Sequence, residues 1–235
     1  MTGKFYGIGV GPGAADLLTV RAVNILKAVD VVCIPRSSAE KKSVALTVAQ
    51  AYIETAEILE VSTPMTRDAA VLDASWNKGA EEIANLLRQG KNVAFITIGD
   101  SMLYSTYTYL MKKVQRLVPD VDIVSVPGIT SYSASAAYLN LPLAEGAEKF
   151  VVIPALDDPS ELNTILKIFP NVILMKVAGQ FDQIVDVLEK LGKIDKTVYI
   201  SRLGYAEQFV TYDLRALKNK KLDYLSLIIV KQGGF

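Results

Sequence analysis

The sequence predicts an α/β protein built as two α/β domains. Three observations carry that expectation. Short apolar runs alternate with helical patterns along almost the whole chain. Several of the strand-like runs, such as "DVVCI" at 30–34, are apolar over nearly their whole length, as strands of a parallel sheet covered on both faces are. The elements also outnumber what one doubly wound sheet holds.

In chain order, residues 4–10 read as a strand and 18–28 as a helix, with Val20, Val23 and Leu26 or Ala28 on one face. A strand at 30–34 is stopped by Pro35. Helical patterns follow at 43–54 and 69–89, the second ending at Gly90, and a short strand at 56–61 separates them. Next come strand 92–98, helix 103–117 and strand 121–126. Beyond Pro127-Gly128 lie a helix to about Tyr138, strand 149–153, helix 159–168, strand 172–175, helix 181–191 and strand 197–200. The tail differs: 208–212 and 224–230 read as strands with only a short helix between them. The "SVPGITS" turn at 125–131 is taken as the boundary, giving an N-terminal domain 1–126 and a C-terminal domain 127–235. No low-complexity linker marks it, and no internal repeat is visible.

Composition excludes several function classes. The 235 residues are 51% hydrophobic and 21% charged, as in a soluble globular protein with a sizeable core. Lys+Arg and Asp+Glu both number 25, which gives no support for a nucleic-acid or anionic-membrane partner. A single cysteine, Cys33, rules out an internal disulfide and points to a reducing cytoplasm. Glycines from Gly7 onward interrupt any signal-peptide core, and no apolar run approaches the roughly 18–20 residues of a membrane helix. Histidine is absent, so His-based triads, His-containing zinc sites and an imidazole base are excluded, and no resident metal is expected.

The stretch "FYGIGVGPGAADLLTVRA" at 5–22 alternates Gly7, Gly9, Gly11 and Gly13. Gly9-x-Gly11-x-x-Ala14 formally matches a dinucleotide fingerprint. Pro12, however, removes a backbone donor from the phosphate nest, and Asp16 sits where phosphate would lie. Three readings stand: a tight turn that needs glycine, a nicotinamide nucleotide site, or a different ligand approached by bare backbone. "TIGDSMLYST" (97–106) and "SVPGITSYSA" (125–134) also leave an apolar strand for a helix through a glycine and small polar residues. Three such loops at the carboxyl ends of strands can converge on one compact polar ligand.

Together these stretches resemble the tetrapyrrole (corrin and sirohaem) methyltransferases. "GIGVGPGAADLLTVRA" is similar to that family's opening motif, in which Pro12 is expected. "VAFITIGDSMLYSTYTYL" resembles its second motif and "VSVPGITSYSASAAYLNLPLAEGAEKFVVIPA" its third and fourth. "YST", "PLAEGAE" and "VVIPA" are most similar to the branch that methylates carbon 20 of precorrin-2 or its cobalt form, cobalt-factor II, in cobalamin biosynthesis. The sequence departs where an acidic residue commonly replaces Ala14 or Ala15, and where proline commonly replaces Ser101.

The resemblance implies a class III methyltransferase-like fold, two α/β domains with S-adenosylmethionine in the cleft between them, and a cytoplasmic homodimer. It implies cofactor contacts from Pro12, Gly99, Asp100, Ser101, Leu103, Thr130, Ser131, Met175, Leu203, Gly204, Ser226 and Leu227, with the Asp100 carboxylate towards polar cofactor groups. Core packing is the plain alternative for Met175 and Leu227. A sulfonium methyl needs positioning rather than activation, so the reaction suits a chain without histidine. The catalytic residues are open: Tyr104, Asp100, a substrate carboxylate or water can take the carbon-20 proton. The substrate is a polycarboxylate, so Arg36 and Arg202 are expected to hold it, ahead of Arg67, Lys41 and Lys42. Cobalt, if present, is expected to arrive inside the substrate. Another ring position, a non-tetrapyrrole target and an NAD(P)-dependent reductase are the alternatives.

Overall fold

Short runs rich in valine and isoleucine set the first sheet. The computed structural model describes residues 1–36, 43–154 and 158–234. It divides the chain into two units, Met1–Thr130 and Ser131–Phe235.

In the first unit, β1 (Phe5–Gly9), α1 (Val20–Leu26), β2 (Val31–Arg36), α2 (Val44–Ala49), β3 (Glu57–Ser62), α3 (Ala69–Arg88), β4 (Val93–Thr97), α4 (Tyr107–Leu117) and β5 (Ile123–Val126) follow in order. The sheet order is β3-β2-β4-β1-β5 and every pair is parallel. Thus β1 is inserted between β4 and β5. Phe5, Phe95 and Tyr107 anchor the core, with Tyr107 5.6 Å from Phe5 and 6.4 Å from Phe95 between ring centres. The Tyr107 ring lies so close over β1 that a Cβ on Gly7 would fall 2.0 Å from it. That contact, and no ligand, accounts for Gly7.

Several boundaries differ from expectation. The buried face of α1 is Ala22 and Leu26, while Val20, directly after the Thr19 cap, and Ala28, beyond the last helical turn, are exposed. Pro35 does not stop β2, which runs to Arg36. Pairing of β2 to β4 ends at Cys33, so Pro35 sits where the strand has one neighbour and its missing N–H is tolerated. The helix expected from 103 starts at Tyr107, since Tyr104 takes a left-handed φ of 51° that no helix accommodates. The helix expected over 43–54 is α2 followed by a 3-10 turn, Gln50–Tyr52.

The second unit contains α5 (Ser131–Leu139), β6 (Phe150–Ile153), α6 (Leu162–Ile168), β7 (Asn171–Met175), α7 (Phe181–Lys190), β8 (Thr197–Ser201), β9 (Phe209–Thr211) and β10 (Ser226–Lys231). Its sheet order is β6-β7-β10-β8-β9. Only β6 and β7 pair in parallel; β10 is antiparallel to both neighbours, and β8 to β9. The all-parallel pattern stops here because the tail lacks crossover helices, having only the 3-10 turn Arg215–Leu217 between its last strands. β10 is buried along its whole length and forms the centre of this core.

Candidate functional site

Because β4, β1 and β5 are neighbours and parallel, the loops that leave their carboxyl ends share one edge of the first sheet. Val10 N–H donates to the Thr97 carbonyl at 2.9 Å. Gly11 and Gly99 then exchange two backbone hydrogen bonds, at 3.2 and 2.7 Å. A Cβ on Gly9 would lie 2.6 Å from both the Gly128 nitrogen and the Gly99 oxygen, and one on Gly128 would lie 2.1 Å from that oxygen. The bareness of Gly9 and Gly128 therefore serves first to let three backbones touch. Gly99 differs: its φ is +71°, and a Cβ there would meet no heavy atom within 4 Å. Pro12 is buried in the same loop cluster. Only a single 3-10 turn, Ala15–Leu17, follows the glycines directly, and the first α-helix begins at Val20, so no α-helix N-terminus is presented to a pyrophosphate there.

Asp100 is half-buried, and both its oxygens are engaged on backbone. Oδ1 accepts the Met102 N–H at 2.8 Å, and Oδ2 accepts the Gly128 N–H at 3.0 Å. Ser101 is fully buried and its hydroxyl donates to the Val126 carbonyl at 2.9 Å. Leu103 and Thr130 are half-buried, and Tyr104 is 48% exposed. Ser105, which sequence reasoning passed over, is buried and accepts the Tyr107 N–H at 3.1 Å, starting α4.

In the second unit, most of the expected residues meet at one end of the sheet. Met175 and Leu227 are register partners across β7 and β10, and Ser226 pairs with Ser201 across β10 and β8. Strands β7 and β8 are each followed by a cation with left-handed backbone, Lys176 (φ 57°) and Arg202 (φ 50°). Their N–H groups donate to consecutive carbonyls leading into β10, Lys176 to Ser226 at 3.3 Å and Arg202 to Leu225 at 2.9 Å. Leu203, Ser226 and Leu227 are buried, whereas Gly204 is exposed with a φ of +83°. Met175 is half-buried and lines a depression with Lys176 and Gln180. Ser131 lies apart from this rim in sequence and opens α5. Nothing in the spacing of the sequence announces the left-handed residues.

The two arginines expected to hold substrate carboxylates already have carboxylate partners. Arg36 pairs with Glu60 on the neighbouring strand. Arg202 pairs with Asp223 at 2.7 Å and with Glu207 at 3.6 Å, and the Asp223 hydrogen bond raises its pKa further. Arg67 is exposed, and Lys41 and Lys42 lie outside the described residues. Among the described residues no group of three or more His, Cys, Asp or Glu could hold a metal, and no helix is long and apolar enough to cross a membrane.

Comparison with known proteins adds the remaining evidence. The chain is 34% identical over 234 residues to the cobalt-precorrin-2 C(20)-methyltransferase of Salmonella typhimurium, covering 99% of this chain and 98% of that one. It is 35% identical over 239 residues to a probable cobalt-precorrin-2 C(20)-methyltransferase of Methanocaldococcus jannaschii, covering 97% and 96%. Its fold is similar, with a TM-score of 0.68 and 21% identity over 98% of each chain, to uroporphyrin-III C-methyl transferase from Thermus thermophilus complexed with S-adenosylhomocysteine. Residues 4–217 match the Tetrapyrrole (Corrin/Porphyrin) Methylases family, and the chain belongs to it.

Proposed function

We propose that the chain transfers a methyl group from S-adenosylmethionine to carbon 20 of the cobalt form of precorrin-2. The observation that carries this reading is the near-complete overlap with two relatives of that name, one bacterial and one archaeal. The cofactor is supported by the similar fold solved with S-adenosylhomocysteine and by the open backbone at Gly99. Cofactor contacts are assigned to Pro12, Gly99, Asp100, Ser101, Leu103, Thr130, Ser131, Met175, Leu203, Gly204, Ser226 and Leu227.

When bound, the cofactor supplies an activated methyl on sulfonium sulfur. The chain's task is then to orient and to keep water away, and orientation alone is worth roughly 7–11 kcal/mol. The open space beside the buried Gly99 and the exposed backbone of Gly204 suit close approach. The contacts assigned to Ser226 and Leu227 are backbone contacts, whereas Ser101 has no exposed surface and its hydroxyl is committed to Val126. Asp100, engaged on two N–H groups, serves to hold the loops. Tyr104, a substrate carboxylate or water remains to take the carbon-20 proton. Arg36 and Arg202 bind substrate only by exchanging their present carboxylate partners. The same reading makes the protein a cytoplasmic homodimer, which light scattering tests.

Calorimetry with S-adenosylhomocysteine and NADPH separates this proposal from a reductase: saturable NADPH binding without a response to S-adenosylhomocysteine refutes it. Turnover with carbon-13-labelled cofactor, read by NMR, fixes the position. Label on carbon 17, carbon 11 or a pyrrole carbon removes the carbon-20 assignment.

A further inference from the structure

Among the described residues, two buried side-chain polar atoms lack a hydrogen-bond partner, the Ser135 hydroxyl and the Tyr205 hydroxyl. The second stands in a loop built with unusual care. Arg202 N–H is held by Leu225, Tyr205 N–H donates to the Arg202 carbonyl at 3.0 Å, and Gln208 N–H donates to the Tyr205 carbonyl at 3.1 Å. The Gln208 side chain in turn accepts the Gly204 N–H at 2.9 Å. The Arg202 guanidinium carbon lies 6.0 Å from the centre of the Tyr205 ring and is itself fixed by Asp223 and Glu207. The hydroxyl of the ring itself has no such partner. Burial pushes that hydroxyl's pKa up to about 12, so it remains a donor across the physiological range. A buried donor without an acceptor weakens a fold, and buried polar groups are otherwise almost always paired.

We propose that the Tyr205 hydroxyl donates a hydrogen bond to the adenosine portion of S-adenosylmethionine, making Tyr205 a cofactor-binding residue. The inference rests on the cofactor reading above, which puts Leu203 and Gly204, just before Tyr205, against the cofactor. Local charge favours this ligand over the substrate. Asp223 and Glu207 together outweigh Arg202, so a polycarboxylate is repelled here, whereas the ring nitrogens and ribose oxygens of adenosine are neutral acceptors.

The test is Tyr205→Phe, which deletes one oxygen and keeps the ring. S-adenosylhomocysteine affinity, measured by calorimetry, should fall about 3- to 10-fold. The ligand-free melting temperature should stay level or rise, because an unpaired buried hydroxyl is removed. The KM for the tetrapyrrole should not change. Unchanged S-adenosylhomocysteine affinity overturns the proposal. So does weaker affinity with a lowered ligand-free melting temperature, which would mean that the hydroxyl is satisfied inside the protein. A rise confined to the tetrapyrrole KM also overturns it. If the wild-type chain does not bind S-adenosylhomocysteine at all, the cofactor reading itself fails.

Discussion

The carboxylate of Asp100 accepts the backbone N–H of Gly128 at 3.0 Å and thereby ties the loop after β4 to the loop after β5. Its other oxygen holds Met102 in its own loop. Asp100→Ala should cost about 1.5–3 kcal/mol, the range for hydrogen bonds to charged groups, and nearer the lower figure because the residue is half-buried. Asp100→Asn should restore only part, since its amide sets a donor against a donor. Denaturant titration measures the cost, and amide exchange at Gly128 locates it. A Gly128 amide equally protected in Asp100→Ala and wild type would refute the tie.

Gly128 and Gly99 should respond differently to alanine. At Gly128 the new Cβ would lie 2.1 Å from the Gly99 carbonyl oxygen, backbone against backbone, with no flexible side chain to give way. Gly128→Ala should cost at least about 3 kcal/mol, the upper end of ordinary overpacking. Gly99→Ala has open space and suffers only its left-handed backbone, about 1–2 kcal/mol. Urea midpoints compare the two, and equal losses would show that the loops do not touch as described.

Cys33 should be inert in the native protein. It lies in β2, paired with Leu59 on one side and Phe95 on the other, with no exposed surface, and burial raises its thiol pKa strongly. A thiol reagent near neutral pH should find no reactive group until denaturant is added, and then one per chain. Rapid native labelling would contradict the placement of this strand.

Acid should weaken the second unit in part through Glu148. The Asn171 amide donates to its Oε2 at 3.0 Å, the Glu145 N–H at 3.1 Å, and the Lys231 ammonium stands 3.5 Å away. In that order of importance, with the ammonium last, these hold its pKa below the usual 4.5. A carboxylate with a depressed folded pKa contributes stability above its unfolded value and loses it as pH falls through the folded one. Melting temperature should therefore drop below about pH 4.5 more steeply in wild type than in Glu148→Gln. At neutral pH the variant should be the less stable of the two. Parallel curves would show that Glu148 keeps its ordinary titration.

Much of the molecule was legible in residue order. Alternating apolar runs located the strands within a residue or two, because strand and helix periodicity depend on near neighbours. The stop at Gly90, the absence of histidine chemistry and the motifs that place the chain among the tetrapyrrole methylases were readable in the same way. Long-range contacts settled the rest. Residue order does not say that β1 lies between β4 and β5, so it could not show that Gly7 makes room for Tyr107 or that Gly9 and Gly128 bear on Gly99. The orientation of the Asp100 carboxylate, the prior engagement of Arg36 and Arg202, and the stranded Tyr205 hydroxyl also depend on partners brought in by the fold. A side chain's type sets what it can bond. Which bond it makes, and whether any is left for a ligand, depends on which distant backbone packs beside it.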